Sequence, residues 1–260
     1  MGKKIDLVLV LIIPLIIFLL VFFSGLKISY FESLIFIFAI PSLYLTIRNK
    51  KKARKVAIFS FLISIPFDII WELLNYGDNS WIVPQSIFPF KFFGFSPLEN
   101  YIWMFLTLYT ILIFYEYFCN SRFQTKISRK IKIMNYVFYL ISIILIIIFV
   151  INKELLSFPY SYLWLGIIMF IIPIMAFLIK YPSFITNFFK ASVFFFYIHL
   201  IFELIGLKLN HWVYSGTNFI GWVSFFGLSF PVEEFLFVIV LGGFAACTYY
   251  EFFTNSKLKI

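Results

Sequence analysis

The chain has 260 residues, 63% of them hydrophobic and only 13% charged, with a net charge of +9 and a mean hydropathy of +1.00. That polarity is too low to solvate a globular surface and excludes an ordinary soluble domain. The cations are dispersed through short segments, which argues against a nucleic-acid surface, and two cysteines without a CxxC pair argue against a disulfide framework or metal site.

Each crossing of a bilayer takes about 20 mostly apolar residues, and eight stretches qualify: 5–23, 29–48, 56–75, 98–118, 133–151, 160–179, 191–207 and 232–253. The first follows Met-Gly-Lys-Lys and has no small-x-small cleavage site, so it reads as a retained helix rather than a signal peptide. Lys3 and Lys4 precede it. Arg48, Lys50, Lys51, Lys52, Arg54 and Lys55 join the second and third stretches. Arg122, Lys126, Arg129, Lys130 and Lys132 join the fourth and fifth, and Lys257 and Lys259 end the chain. All fall on one side, which the positive-inside rule makes cytoplasmic, with both termini there. The expected fold class is an all-α, multi-pass integral membrane protein, in the plasma membrane of a prokaryote.

The chain also repeats itself. Phe92-Phe93-Gly94-Phe95-Ser96-Pro97-Leu98-Glu99 returns as Phe225-Phe226-Gly227-Leu228-Ser229-Phe230-Pro231-Val232-Glu233, with one residue inserted before the proline. Glu72 and Glu203, Trp81 and Trp212, and Asp68 and His199 are each 131 residues apart. Asn120-Ser121 recurs as Asn255-Ser256. Repeats of this kind predict a tandem 4+4 duplication, residues 1–125 and 126–260. An even number of spans makes the halves parallel, about an axis along the bilayer normal.

Only twelve Asp and Glu occur in the chain. Glu72, Glu99, Glu203, Glu233 and Glu234 occupy repeated positions in or at the ends of spans, where ionisable groups are costly. Glu72 lies 17 residues beyond Lys55, roughly 25 Å along a helix. Glu99 and Glu233 open spans descending from that same outer side. The acids therefore converge in the outer half of the bilayer, with Asp68 and His199 one turn deeper on the same helix faces. A carboxyl group in apolar surroundings favours its neutral form, and neutral acids beside ionised ones are what proton-transfer chemistry uses.

Several of these features have plain structural readings. A Glu after Pro suits a helix start. Trp81 and Trp212 suit interface anchors. Phe-Phe-Gly suits a turn, and His211 suits a solvated loop. It is the double occurrence of E-x8-W, then FFGxS-(x)-P-x-E, that these readings explain poorly.

Glu72…Trp81…Pro97-Leu98-Glu99 and Glu203…Trp212…Pro231-Val232-Glu233-Glu234-Phe235-Leu236-Phe237 resemble the lycopene cyclase domain, a small all-helical membrane family of carotenoid pathways built from two tandem or separately encoded halves. The resemblance covers about residues 56–120 and 190–255; the remaining stretches match only as hydrophobic helices. The first copy departs from the pattern at Asn100, which stands where the second acid is usual, and Tyr-Ile-Trp replaces the following aromatics. Family members often carry Asp where this chain has Glu72 and Glu203. The resemblance implies cofactor-free cyclisation of a linear polyene taken from the lipid phase, with Glu233 and Glu234 assisted by Glu72, Glu203 and Glu99. Trp81, Trp212, Asp68 and His199 would bind the substrate.

Two other readings stay open. Another isoprenoid enzyme, a hydratase or prenyltransferase, could use the same acids; Asp68-x3-Glu72 places two carboxylates on one helix face, though the second copy has His199 instead. A proton-coupled carrier would also contain repeated helices and intramembrane acids, against which no span reads as broken at its middle by Gly or Pro. No nucleotide, metal or redox cofactor is expected, and the partners expected are membrane lipids and an apolar isoprenoid.

Overall fold

The computed structural model describes residues 2–120, 128–256 and 258. Arg122, Lys126, Lys257 and Lys259, and Ser121 of the Asn-Ser echo, lie outside the described residues. The protein is 75% helical. Seven helices are long and apolar enough to cross a membrane: α1 (Lys3–Phe23), α2 (Tyr30–Arg48), α3 (Lys50–Gly77), α4 (Leu98–Cys119), α5 (Lys130–Leu156), α6 (Ser161–Lys180) and α7 (Pro182–Lys208). An eighth, α8, has two arms, Glu234–Val240 and Gly242–Thr254, bent by 49°.

Several of these helices owe their shape to local chemistry. Ser29 and Glu32 form a reciprocal capping box that starts α2. Ile35–Ala39 in α2 and Ile167–Ile171 in α6 are wound as π-helix just before Pro41 and Pro173. A proline has no N–H for the turn behind it, and a wider turn accommodates the lost bond. The bend in α8 falls at Gly242-Gly243, in the middle of the stretch 232–253 that reads as unbroken in sequence. A Cβ on Gly242 would meet the Phe195 ring at 2.6 Å, and one on Gly243 would meet Ser192 Cα at 2.8 Å. The glycine pair therefore lets the lower arm press against α7, and the helix breaks where the side chains are missing.

Helices α3 and α7 form the centre, each with 67% of its most apolar stretch buried, whereas only 11% of the corresponding stretch of α5 is. Around the centre, α4 packs on α3 and α7, and α8 packs on α7, α4 and α6. On the outside, α1 lies against α7, with Tyr197 Oη donating to Leu11 O at 2.7 Å. Likewise α5 lies against α3, with Ser142 Oγ donating to Pro66 O at 3.0 Å.

At the end of the bundle away from the lysine-rich α2–α3 turn, the two long loops fold into hairpins. Lys91–Phe92 (β1) pairs antiparallel with Ser96–Pro97 (β2), and Trp222–Phe225 (β3) with Leu228–Pro231 (β4). Phe-Phe-Gly is the turn in both: Phe93 and Gly94, then Phe226 and Gly227, all have positive φ. In the second hairpin both central residues do, as a two-residue hairpin turn with the strand twist requires. The loops touch through one antiparallel bridge, in which Ile82 N–H donates to Val213 O and Val213 N–H to Ile82 O, each at 2.9 Å. Asn218 Nδ2 donates to Asp78 at 2.6 Å and Ser215 Oγ to Asn79 O at 2.9 Å, so the loops are laced together over the bundle.

Candidate active site

Beneath the Ile82–Val213 bridge lies a cavity of about 60 Å³ that gathers side chains from five helices and both loops. Glu72 reaches it from the last turns of α3, Glu203 from the last turns of α7, and Glu234 from the first turn of α8. Each carboxyl is buried and partnered. Asn100 Nδ2 donates to Glu72 at 2.9 Å and itself accepts from Tyr30 Oη at 3.1 Å. Trp212 Nε1 and Tyr214 Oη donate to Glu203 at 3.1 and 3.0 Å. Tyr162 Oη donates to Glu234. Burial, then the neighbouring Glu203, push the Tyr214 phenol well above its usual range, so it stays a donor.

The walls are aromatic: Trp71, Trp81, Trp103, Phe202 and Trp212, with Val83 and the His199 ring. Two tyrosines lock the indoles from outside. Tyr30 of α2 sets its ring edge-on to Trp212 at 5.4 Å, and Tyr162 of α6 does the same to Trp81 at 5.5 Å. Trp71 and Trp103 also form the roof of a second, almost wholly apolar cavity deeper in the bundle, between Phe67, Met104, Phe195 and Tyr249. On the loop side, a recess of about 210 Å³ leads to Glu72 past Lys91 and Phe95.

Of the residues expected from sequence, Glu72, Glu203, Glu234, Trp81, Trp212 and His199 therefore share one cavity. The other three lie elsewhere. Glu99 accepts from Ser86 Oγ at 2.8 Å and from the Ile87 N–H at 2.9 Å, and Glu233 accepts from the Ile220 N–H at 2.7 Å. Both pin a loop to the start of the helix that follows it. Asp68 is fully buried, and neither oxygen has a hydrogen-bond partner among the described residues. His199 Nε2 is likewise unpartnered, its ring stacked on Phe195 at 4.2 Å.

His211 departs from the solvated loop residue expected. It is 5% exposed, stacks on Tyr30 at 5.8 Å, and places Nε2 3.0 Å from Ile28 O. The loop after α7 folds back over the bundle and carries the imidazole under it. Burial lowers its pKa below the ordinary 6.5.

A second buried polar cluster lies at the opposite, basic end. Tyr250 Oη donates to Glu116 at 2.6 Å, and Tyr115 Oη donates to Glu251 at 2.9 Å, an exchange of partners between α4 and α8. Asn120 Nδ2 donates to Glu116 at 3.0 Å and Asn255 Nδ2 to Glu251 at 2.9 Å. Lys52 Nζ lies 2.6 Å from Glu116 and Lys55 Nζ 3.9 Å. The signal was available in sequence, since Tyr-Glu-x3-Asn occurs twice, at 115–120 and 250–255. Tyr30, Tyr162 and Tyr214 carried no comparable local mark.

Among the described residues, no three carboxylate, imidazole or thiol groups are grouped to hold one metal ion. In comparisons with protein-family models, with curated proteins and with solved structures, nothing matched the chain.

Proposed function

We propose that this chain is an integral membrane enzyme that cyclises the end group of a linear polyene such as lycopene, as the resemblance in its repeated motif implies. The observation that carries the reading is the convergence of Glu72, Glu203 and Glu234 in one buried cavity walled by indole and phenyl rings. A proton added to a terminal C=C bond leaves a tertiary carbocation. A neighbouring C=C bond captures it and closes the ring, and loss of a proton restores neutrality. Composition and oxidation level are unchanged. The three carboxyl groups give the proton and take it back. Ring faces stabilise the cation between these steps, by about 0.5–2 kcal/mol each. Neither the acid cavity nor the apolar one beneath it, about 60 Å³ each, takes a cyclising end group alone. Trp71 and Trp103 line both, so they move aside for the substrate to lie through the two. Glu99 and Glu233 act as positioning residues for the covering loops.

Several pairings support the tandem duplication. Residues 131 apart bridge each other at Ile82 and Val213. Tyr30 and Tyr162 bond to Asn100 and Glu234 and pack on Trp212 and Trp81. The π-turns before Pro41 and Pro173, and the Tyr–Glu exchange of α4 and α8, follow the same rule. In that scheme Asn100 stands opposite Glu234, so the halves contribute unequally. Cations at one end of the bundle support cytoplasmic termini in a prokaryotic plasma membrane.

A proton-coupled carrier gains one specific observation, the break in α8 at Gly242-Gly243. The deciding experiment is expression in cells that accumulate lycopene, with chromatography of the extracted pigments. Monocyclic or bicyclic products are expected from the wild type. Glu234→Gln should abolish them while the protein still accumulates in membranes. Glu233→Gln keeps an oxygen to accept the Ile220 N–H and should retain most activity. Unchanged lycopene beside well-inserted wild-type protein would overturn the reading, and uptake by proteoliposomes would then favour the carrier.

A further inference from the structure

Far larger than either buried cavity is a groove of about 820 Å³ on the flank of the bundle, between α1, α4 and α7. Leu7, Leu11 and Leu15 form one wall, Phe114 and Phe118 the floor and Val193 the other wall. The floor is rigid, with Phe114 stacked flat on Phe194 at 3.8 Å and tilted against Phe118 at 4.7 Å. On the other flank α5 closes on α3 instead, with Phe138 packed on Phe67 and Tyr249 at 6.2 and 6.0 Å.

The groove is apolar along its length and cationic at one end. Lys190 lines it and is exposed. Lys3, at the start of α1, donates to Tyr117 O at 2.8 Å with one of its three N–H bonds, leaving two. Cys119 lines the same end, and Lys3 lies one helical turn before Leu7 of the groove wall. Helix α7 has 27 residues, about 40 Å at 1.5 Å per residue, against a hydrocarbon core of about 30 Å. The surplus leaves its first turns in the headgroup layer, with Lys190 within snorkelling reach of it. From Leu7 to Leu15 the groove runs about 12 Å, parallel to the lipid chains.

We propose that this groove holds one acyl chain of an anionic phospholipid, whose phosphate sits on Lys3 and Lys190. The groove opens sideways to the bilayer, so no ligand has to thread the bundle. Its apolar walls match a hydrocarbon chain, and its two cations select the headgroup. The site is separate from the acid cavity and independent of the reaction proposed there.

The test is native mass spectrometry of the intact protein in mild detergent, titrated with phosphatidylglycerol or phosphatidylcholine of identical acyl chains. A basic side chain near the headgroups favours an anionic lipid about fivefold, so the pair should give roughly a 25-fold preference for phosphatidylglycerol. Lys3→Ala/Lys190→Ala should bind both lipids alike. Val193→Trp, which fills the groove one turn from Lys190 and leaves both charges in place, should lower retention of both. Equal retention of the two lipids by the wild type, or an undiminished preference in the double variant, would overturn the proposal. So would a lipid-free dimer dissociated by Val193→Trp, which would make a second copy the occupant.

Discussion

Gly206→Ala is the sharpest test of the cavity's geometry. Gly206 lies in the last turns of α7, and a Cβ there would fall 2.1 Å from the Trp212 ring. The indole is bound on both sides: Nε1 donates to Glu203, and Tyr30 meets its face edge-on. Three terms decide the outcome. Overpacking a filled core costs about 1–3 kcal/mol. Losing the Trp212–Glu203 hydrogen bond costs about 1 kcal/mol. Replacing glycine by alanine inside a helix returns about 1 kcal/mol. The last two cancel, and the strain remains. With a midpoint shift of roughly 2–4 °C per kcal/mol for chains approaching this size, Tm should fall by roughly 2–12 °C. The assay is thermal unfolding in detergent, with Gly221→Ala as control. At Gly221 a Cβ meets only the Val232 Cγ2 methyl at 3.2 Å, and Tm should barely move. The proposed cyclisation should fall in Gly206→Ala more than in the control, because Trp212 lines the cavity. Equal Tm values for the two variants would refute the seating of Trp212 on Gly206, and with it the geometry given to Glu203.

Lys52→Met leaves Glu116 its more distant cation, Lys55 at 3.9 Å, and so should lower stability by less than a fully broken buried pair would, about 3–5 kcal/mol; Lys4→Met, at an exposed position, should cost almost nothing in the same unfolding assay. Ile82→Pro deletes one of the two bridge hydrogen bonds between the loops and should raise the rate of tryptic cleavage after Lys91 without lowering membrane accumulation. His211 titrates below its ordinary 6.5 in the folded protein, so between those two values the unfolded chain binds more protons and stability rises with pH. Acidification from pH 7 towards 5 should therefore lower Tm, and His211→Gln should flatten part of that slope, as Tm measured across the range would show.

What the sequence made legible is what depends on near neighbours. The apolar runs mark the helices within three residues at most ends, though α3 starts six and α7 nine residues before its run and α5 ends five after; Phe-Phe-Gly marks both hairpin turns, because each is set by local composition and φ. Helix rise and span order drew Glu72, Glu203, Glu99 and Glu233 towards one end of the bundle; of these only Glu72 and Glu203 line the cavity, where Glu234 joins them. What was hidden depends on distant partners. Glu99 and Glu233 read the same in sequence as the acids of the cavity, and the loop amides they accept from, at Ile87 and Ile220, lie too far along the chain for local pattern to show. Tyr30 meets Asn100 seventy residues on, and His211 meets Ile28 across 183. The bend of α8 was not read from the sequence although Gly242-Gly243 adjoins it, because the Phe195 ring that occupies the space of a Gly242 Cβ belongs to another helix.

The exchange of partners between α4 and α8 bears on how such a chain is made. Glu116 enters the membrane with α4, while the Tyr250 hydroxyl that completes its bonding lies 134 residues later, in the last helix. Through synthesis of α5, α6 and α7 a buried acid must wait. Lys52 and Lys55, already in place on α3, neutralise it during that interval. For Glu251 the order is reversed, since its partner Tyr115 precedes it in the chain. The ion pairs thus join helices that are close in the chain, whereas the Tyr250 contact comes only with the final one.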